Sequence, residues 1–338
     1  MNTALVQEVE REVEALVGEA GLARVRQAAA ALGAQYARGQ APRAPAWADV
    51  LAYAAMRLPG TVAALERVAR ELAPALAATG PLRVLDVCSG PGTGFLALRA
   101  AGLALREVVC VEDSAQMIEL GRRLVAAAGG TQCVTWHGGD VERFLRHDTQ
   151  RFDLAIIAYG LGELAEPRRG AVLDALWQRV VHAVVVVEPG TPAGAARVRE
   201  VRDAMVRAGG RILAPCPHGA ECPLAGGQPQ WCHFAVRIGR SRLSRLVDSG
   251  SASFEDEKYS YVIGMREGVP PPVHGRVVGH PRLVRGGVQL AVCLAGDAFR
   301  RAMVPKRAGE AFRLARKLRW GDALPAGVAA ALTGAELE

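Results

Sequence analysis

Hydrophobic and polar positions change their period twice along the 338-residue chain. Over residues 3–33 apolar side chains recur at helical spacing. Leu5, Val9, Val13, Leu16 and Val17 share one face, which predicts one or two amphipathic helices. The stretch Gly39 to Trp47, GQAPRAPAW, reads as a proline-rich linker. Behind it, DVLAYAAMRLPGTVAALERVARELAPAL predicts two helices broken at Pro59-Gly60, with Thr61 as the N-cap. From Leu82 to about Ala208 the pattern becomes short, continuous apolar runs, each followed by a helical repeat. The runs are LRVLDV, REVVCVED, TQCVTWH, RFDLAIIAYG and HAVVVVEPG. Runs of this kind mark strands buried on both faces, and their alternation with helices predicts a doubly wound, parallel α/β sheet. After Gly209-Gly210 the alternation stops. Asp248 to Lys258, DSGSASFEDEK, reads as a polar connection, and YSYVIGM, RVVGHPRLV and GGVQLAVCLAG predict β structure. The chain therefore divides into an N-terminal helical region (1–80), an α/β core (81–208), a Cys-rich segment (209–240) and a basic, β-rich C-terminal region (241–338).

Chemistry concentrates where the first strand ends. LRVLDVCSGPGTGF carries Asp86 and then Gly90, Gly92 and Gly94 before a helical pattern begins. Glycines let a backbone approach a ligand closely, and the helix N-terminus behind them presents free N–H groups. The second strand ends in acid at Glu112, twenty residues after Gly92, where a doubly wound sheet places a carboxylate beside a ribose diol. Asp113 is its neighbour, and Gly139-Asp140 after the third strand would lie beside an adenine ring. Nicotinamide dinucleotides and S-adenosylmethionine both use this layout. The loop lacks the Gly-x-Gly-x-x-Gly spacing of the former. It resembles instead the acid-x-Gly-x-Gly-x-Gly pattern of class I methyltransferases, with Cys88 standing where the first glycine is usual. The loop after the fourth strand faces the substrate in this fold, and Tyr159 and Glu163 are its polar residues. It contains neither the Pro-Pro-aromatic motif of amino-group methylases nor a cysteine nucleophile, so no catalytic group is identifiable.

Composition narrows the setting. Half the residues are apolar and the formal net charge is +7, which suggests a polyanionic partner without establishing one. No run is long and apolar enough for a membrane span. The N-terminus, with Glu8, Glu10, Glu12 and Glu14, lacks a signal-peptide profile, and the expectation is a cytoplasmic protein. In a reducing compartment seven cysteines argue for metal ligation over disulfides. Cys216, Cys222 and Cys232 fall within seventeen residues rich in Pro and Gly, flanked by His218 and His233, and Cys293 is the best fourth ligand. Cys88, Cys110 and Cys133 lie in or beside core strands and read as small buried residues. Zinc and a [4Fe–4S] cluster both accept four thiolates. The irregular spacing, without Cys-x2-Cys knuckles, leans toward the cluster, and a zinc site using His218 or His233 stays open. From Pro271 to Trp320 eleven Lys and Arg stand against Asp297 and Glu310, a basic surface suited to phosphates.

LPGTVAAL, LDVCSGPGTG, APCPHGAECPL and WCHFAVR together resemble the methyltransferase-like family of mitochondrial small-ribosomal-subunit assembly factors and its bacterial relatives, over roughly residues 45–322. The resemblance implies a class I methyltransferase (Rossmann-like) fold and an S-adenosylmethionine pocket at Asp86, Gly90, Gly92 and Glu112, to which Cys88, Asp140 and Tyr159 are added as neighbours. It also implies a four-cysteine [4Fe–4S] site at Cys216, Cys222, Cys232 and Cys293, and association with the small ribosomal subunit and its rRNA. No DNA partner and no membrane are expected. The leading expectation is an S-adenosylmethionine-dependent methyltransferase-like protein of rRNA with a structural cluster. The alternatives are a non-catalytic assembly factor with a redox-sensitive cluster, and a zinc-stapled small-molecule methyltransferase.

Overall fold

The computed structural model describes residues 3–37, 46–225, 230–248, 250, 252–268, 273–296 and 298–332. Most of the expected linker GQAPRAPAW and Asp297 of the basic stretch lie outside the described residues. In chain order the α-helices are α1 (Thr3–Ala20), α2 (Leu22–Ala37), α3 (Trp47–Met56), α4 (Leu58–Leu76), α5 (Thr93–Ala100), α6 (Ala115–Ala127), α7 (Val141–His147), α8 (Glu166–Arg179), α9 (Pro192–Arg207), α10 (Arg242–Asp248), α11 (Glu310–Ala315) and α12 (Ala326–Ala330). The strands are β1 (Leu82–Val87), β2 (Leu105–Glu112), β3 (Val134–Gly138), β4 (Phe152–Ala158), β5 (Val180–Pro189), β6 (Arg211–Ala214), β7 (Phe234–Gly239), β8 (Phe254–Met265), β9 (Gly275–Val277), β10 (Arg282–Val284), β11 (Gly287–Leu294) and β12 (Phe299–Pro305). Contacts gather these into two compact units: Met1–Val187 with Val236–Glu257, and Glu188–Ala235 with Lys258–Glu338.

In the first unit β3, β2, β1, β4 and β5 lie in that order, every pair parallel. The strands are apolar on both faces because helices cover both. Val84, Leu85 and Val87 of β1 and Leu154, Ala155, Ile156 and Ile157 of β4 are all fully buried. This is the predicted doubly wound sheet. β1 sits at its centre, where the strand order reverses, and sheets of this kind bind their ligands beyond the carboxyl ends at that point. The N-terminal helices add a layer in which Val50, Leu51, Leu65, Val68 and Leu72 are buried.

Two local expectations need correction. The helix break falls at Arg57, between α3 and α4, and Pro59 lies inside the first turn of α4. A proline is tolerated there because its missing N–H would have no helical partner anyway. Thr61 is therefore inside the helix, and its hydroxyl donates to the Leu58 carbonyl instead of capping. The polar stretch Asp248–Lys258 is only partly a connection, since β8 begins at Phe254. Its charges are held in the first unit by ion pairs, Arg237 to Asp256 at 2.7 Å through two parallel hydrogen bonds and Arg57 to Glu255 at 3.7 Å.

The second unit combines α9, the antiparallel pair β6–β8, and a four-stranded sheet in which β11 pairs antiparallel with β9, β10 and β12. One face of that sheet is dry. Val277, Val288, Leu290, Val292 and Val304 pack there with Ala315, Leu324 and Val328. Arg276 on β9 and Cys293 on β11 are register partners.

Candidate functional site

The carboxyl end of β1 is braced from within. Asp86 is 1% exposed, and its carboxylate accepts a hydrogen bond from the Gly94 N–H at 3.1 Å. Burial raises its pKa to about 7, against the lowering effect of that bond, and the charge of Glu112 adds to the rise. A Cβ on Gly94 would stand 2.4 Å from Asp86 Oδ2, so glycine is required there for close approach. Above this pair the loop turns through Gly90 and Gly92 with φ of 53° and 81°, and Gly92 is the residue preceding α5. A Cβ on Gly90 would meet nothing within 4 Å, so the space at that position is open.

Glu112 ends β2 and ties the loop to its neighbour. Its two carboxylate oxygens accept from the Gly90 N–H at 2.8 Å and the Ser114 N–H at 3.0 Å. Burial raises its pKa to about 7, opposed by those two hydrogen bonds. Each oxygen keeps lone-pair capacity, which is what accepting two hydroxyls of a ribose requires. Trp136 on β3 closes the side of the loop. A Cβ on Gly121 of α6 would lie 2.3 Å from its ring, and one on Gly92 would lie 3.5 Å away.

Cys88 and Tyr159 are the non-glycine residues with positive φ among the described residues, at 53° and 61°. They follow β1 and β4, adjacent strands, and a Cβ on Gly160 would meet the Cys88 Cβ at 2.4 Å. Backbone held in this region costs of order 1–3 kcal/mol and clusters at functional sites. The Cys88 thiol is pushed up by burial and by the surrounding carboxylates, which suits a packing residue and not a nucleophile. The buried Tyr159 hydroxyl donates to Glu257 Oε1 at 3.1 Å, and Glu257 Oε2 lies 3.5 Å from the Arg57 guanidinium. A Cβ on Gly60 would touch the Glu257 carboxyl at 3.1 Å, so the Leu-Pro-Gly start of α4 is shaped around that acid. Sequence reasoning missed this Arg57–Glu257–Tyr159 network, although the Leu-Pro-Gly signal stood in plain view. Asp140 is engaged differently from Glu112. It caps α7 through the Arg143 N–H at 3.0 Å and pairs with Arg168, whose hydrogen bond holds its pKa low.

In the second unit Cys216, Cys222, Cys232 and Cys293 come within electrostatic reach of one another. Burial raises the Cys232 thiol well above its usual value, and the charges of Cys216, Cys222 and Cys293 add to the rise. Cys293 is pushed up to about 12 by burial, then by Cys216 and Cys222, while Arg202 and Arg276 oppose the shift. The Cys293 sulfur lies 3.6 Å from His218 Nε2. Among the described residues, no group of three or more His, Cys, Asp or Glu is placed to hold a metal ion as the side chains stand. His233 is removed from that set. It stacks on Trp231 at 5.0 Å and meets Trp320 edge-on at 4.6 Å, with its Nδ1 3.1 Å from the Trp231 carbonyl. No described helix is long and apolar enough to cross a membrane.

The family described as mitochondrial small ribosomal subunit Rsm22 matches residues 47–325. The human mitochondrial ribosome assembly protein METTL17 is 29% identical over 294 residues, covering 81% of this chain and 62% of the human one. An Rsm22-cox11 tandem protein of Schizosaccharomyces pombe, also mitochondrial, is 26% identical over 293 residues, covering 72% and 38%. The chain thus spans less than two thirds of either relative. Among solved structures, an O-methyltransferase family protein from Burkholderia thailandensis aligns with 65% of this chain and 58% of its own, at 14% identity and a TM-score of 0.41. Precorrin-6y C5,15-methyltransferase from Geobacter metallireducens aligns with 60% and 87%, at 13% identity and a TM-score of 0.39.

Proposed function

This chain belongs to the Rsm22 family, and we propose that it is an S-adenosylmethionine-binding protein of methyltransferase type that acts on the rRNA of a small ribosomal subunit during assembly. The observation that carries this reading is Glu112, a half-buried carboxylate tied by Gly90 and Ser114 at the switch point of the sheet, in a chain matched by that family over residues 47–325. The residues fit the cofactor. Glu112 would hold the ribose hydroxyls, and the turn at Gly90 and Gly92 would let the backbone meet the nucleoside. Asp86 would hold the loop from beneath through Gly94. Asp140 would act from the adenine side while capping α7, and Cys88 and Tyr159 would shape the walls. Bound S-adenosylmethionine supplies an electrophilic methyl group.

The four cysteines are the proposed ligands of a [4Fe–4S] cluster, with zinc as the alternative. Four thiols gathered in one unit, Cys293 buried and the other three half-buried, are a donor set that suits a cationic inorganic core taking the place of their protons. The exposed Arg300 and Arg301 on β12 would meet phosphates. The compartment follows from the partner. The named relatives are mitochondrial, so the expectation of a cytoplasmic protein widens to whichever compartment builds the cognate small subunit.

One specific observation favours a second reading. The Tyr159 hydroxyl, one of the two polar groups expected to face a substrate, is instead donated to Glu257, which favours a non-catalytic assembly factor. The double substitution Gly92→Asp, Glu112→Ala separates the two. The enzyme reading expects a specific rRNA methylation to vanish from cells carrying only this variant. An unchanged methylation map, with subunit association intact, would overturn it in favour of the binding factor.

A further inference from the structure

Four aromatic rings that the reading above leaves unused meet in the second unit, brought together from three distant segments of the chain. Trp231 stacks on His233, with ring centres 5.0 Å apart and planes 22° apart. His233 meets Trp320 edge-on at 4.6 Å, and Trp320 meets His280 edge-on at 4.8 Å. Backbone contacts hold this ladder in place. The Trp231 indole N–H donates to the Gly190 carbonyl at 2.9 Å. Trp320 stands between α11 and α12, and the next residue, Gly321, donates its N–H to the Val277 carbonyl of β9 at 2.8 Å. The rings nevertheless stay partly in water. Trp231, His233 and Trp320 are half-buried, and His280 is exposed. Tryptophan is highly buried on average, so two half-open indoles side by side mark a surface that gains from being covered.

Cations border the ladder. Lys258 is exposed, and its carbonyl accepts the N–H of Gly190, the residue that anchors Trp231, at 2.8 Å. Arg301 is exposed and donates to Gln230, the neighbour of Trp231, at 3.0 Å. Arg319, also exposed, precedes Trp320. The Asp322 carboxylate close by accepts the Arg319 backbone N–H at 2.7 Å. Open rings beside cations match a polymer that carries flat bases and charged phosphates together. An acidic peptide would meet the cations without offering a flat ring at each step. A nucleic-acid duplex would meet them too, but its bases are already stacked on one another.

We propose that this ladder is a stacking site for an unpaired nucleobase of single-stranded RNA, with Lys258, Arg301 and Arg319 beside the flanking phosphates. The inference rests on the rRNA reading above and deepens it, because the second unit then takes a looped or unfolded segment of rRNA in preference to a helix. Every base has a π-face, so the site tolerates any sequence and senses only whether the strand is open.

The test uses the full chain and labelled RNA probes: a single-stranded adenylate decamer, a uridylate decamer and a duplex of the same length. Binding is followed by fluorescence anisotropy of the label, a signal that loss of a tryptophan leaves intact. His280→Ala and Trp320→Leu should each weaken single-strand binding about tenfold and leave duplex binding unchanged. His280→Tyr and Trp320→Phe, which keep a flat ring, should stay near wild type. The salt dependence should match wild type in the ring variants, whereas Lys258→Gln should reduce its slope by about 0.7. His280 is exposed, so its two variants decide the matter even where Trp320→Leu fails to fold. Single-strand affinity equal in wild type and His280→Ala, or lost alike in His280→Ala and His280→Tyr, would overturn the proposal. A loss in His280→Ala seen with polyglutamate and not with RNA assigns the surface to an acidic protein and overturns it as well. Wild-type protein that binds none of the RNA probes overturns the rRNA reading itself, and the stacking site falls with it.

Discussion

Gly94→Ala offers a decisive perturbation, because helix propensity and close packing give opposite answers. Gly94 lies in α5, where alanine is intrinsically favoured by about 1 kcal/mol. Its φ is not positive, so the backbone itself accepts a side chain. The new Cβ, however, would stand 2.4 Å from Asp86 Oδ2, 2.6 Å from Cγ and 3.0 Å from Oδ1. The carboxyl cannot retreat easily, being 1% exposed and hydrogen-bonded to Gly94 itself. Overpacking of this kind costs about 1–3 kcal/mol, and a buried polar group deprived of its partner about 1–3 kcal/mol more. After the gain in propensity the expected net loss is about 1–5 kcal/mol. Urea unfolding followed by circular dichroism reads the stability, and calorimetric titration with S-adenosylhomocysteine reads the loop. In an Asp86→Ala background the same substitution should be neutral or stabilising, which makes the coupling in the double-mutant cycle about 2 kcal/mol or more. A Gly94→Ala protein as stable as wild type, with coupling near zero, would refute the claim that glycine is required here for close approach.

Other consequences follow from the same site. Asp86 and Glu112 both have pKa values raised to about 7, so the folded, ligand-free protein holds protons that the unfolded chain releases at lower pH. Their contribution to stability is therefore full below the ordinary carboxylate range and is lost as pH rises through about 7. A ribose held by ionised Glu112 reverses that trend. Affinity for S-adenosylhomocysteine should climb from about pH 5.5 to about pH 7 with proton release, and a flat profile would count against Glu112 as the ribose ligand. Glu257→Ala should destabilise the first unit by about 1–3 kcal/mol, because it strips an acceptor from Tyr159 and one of two carboxylates from Arg57. In that background Tyr159→Phe should cost nothing further, and an additive loss would show that the hydroxyl has another partner. Replacing both Arg300 and Arg301 by alanine should reduce the salt dependence of rRNA binding by a slope of about 2, and an unchanged slope would place the phosphate contacts elsewhere.

The sequence made the α/β core legible because its signals are local. A continuous apolar strand, a glycine turn and an acid at the next strand's end lie within thirty-one residues, Leu82 to Glu112. What it concealed depends on distant partners. Phe254 to Lys258 looked like a loop because its charges outweigh its apolar residues. They enter a strand because Arg57, Arg237 and Tyr159 meet them from far along the chain. Arg202 and Arg276 were invisible among forty-one basic residues, since nothing local separates a buried arginine from a solvated one. Asp140 was found as an acid after β3. Its engagement with Arg168 of α8 could not be read from the spacing.

The two units are interleaved along the chain, and that ordering sets a timetable for synthesis. The first unit is complete only when Val236–Glu257 has emerged, by which time Cys216, Cys222 and Cys232 have already been made. Cys293 follows Cys232 by sixty-one residues. At about 5–20 residues per second, the three early thiols wait roughly 3–12 s for the fourth. During that interval the nascent chain carries three of these thiols without the fourth. Once β11 pairs with β9, Cys293 is fixed opposite Arg276, and the last of the four thiols takes its place only with that sheet.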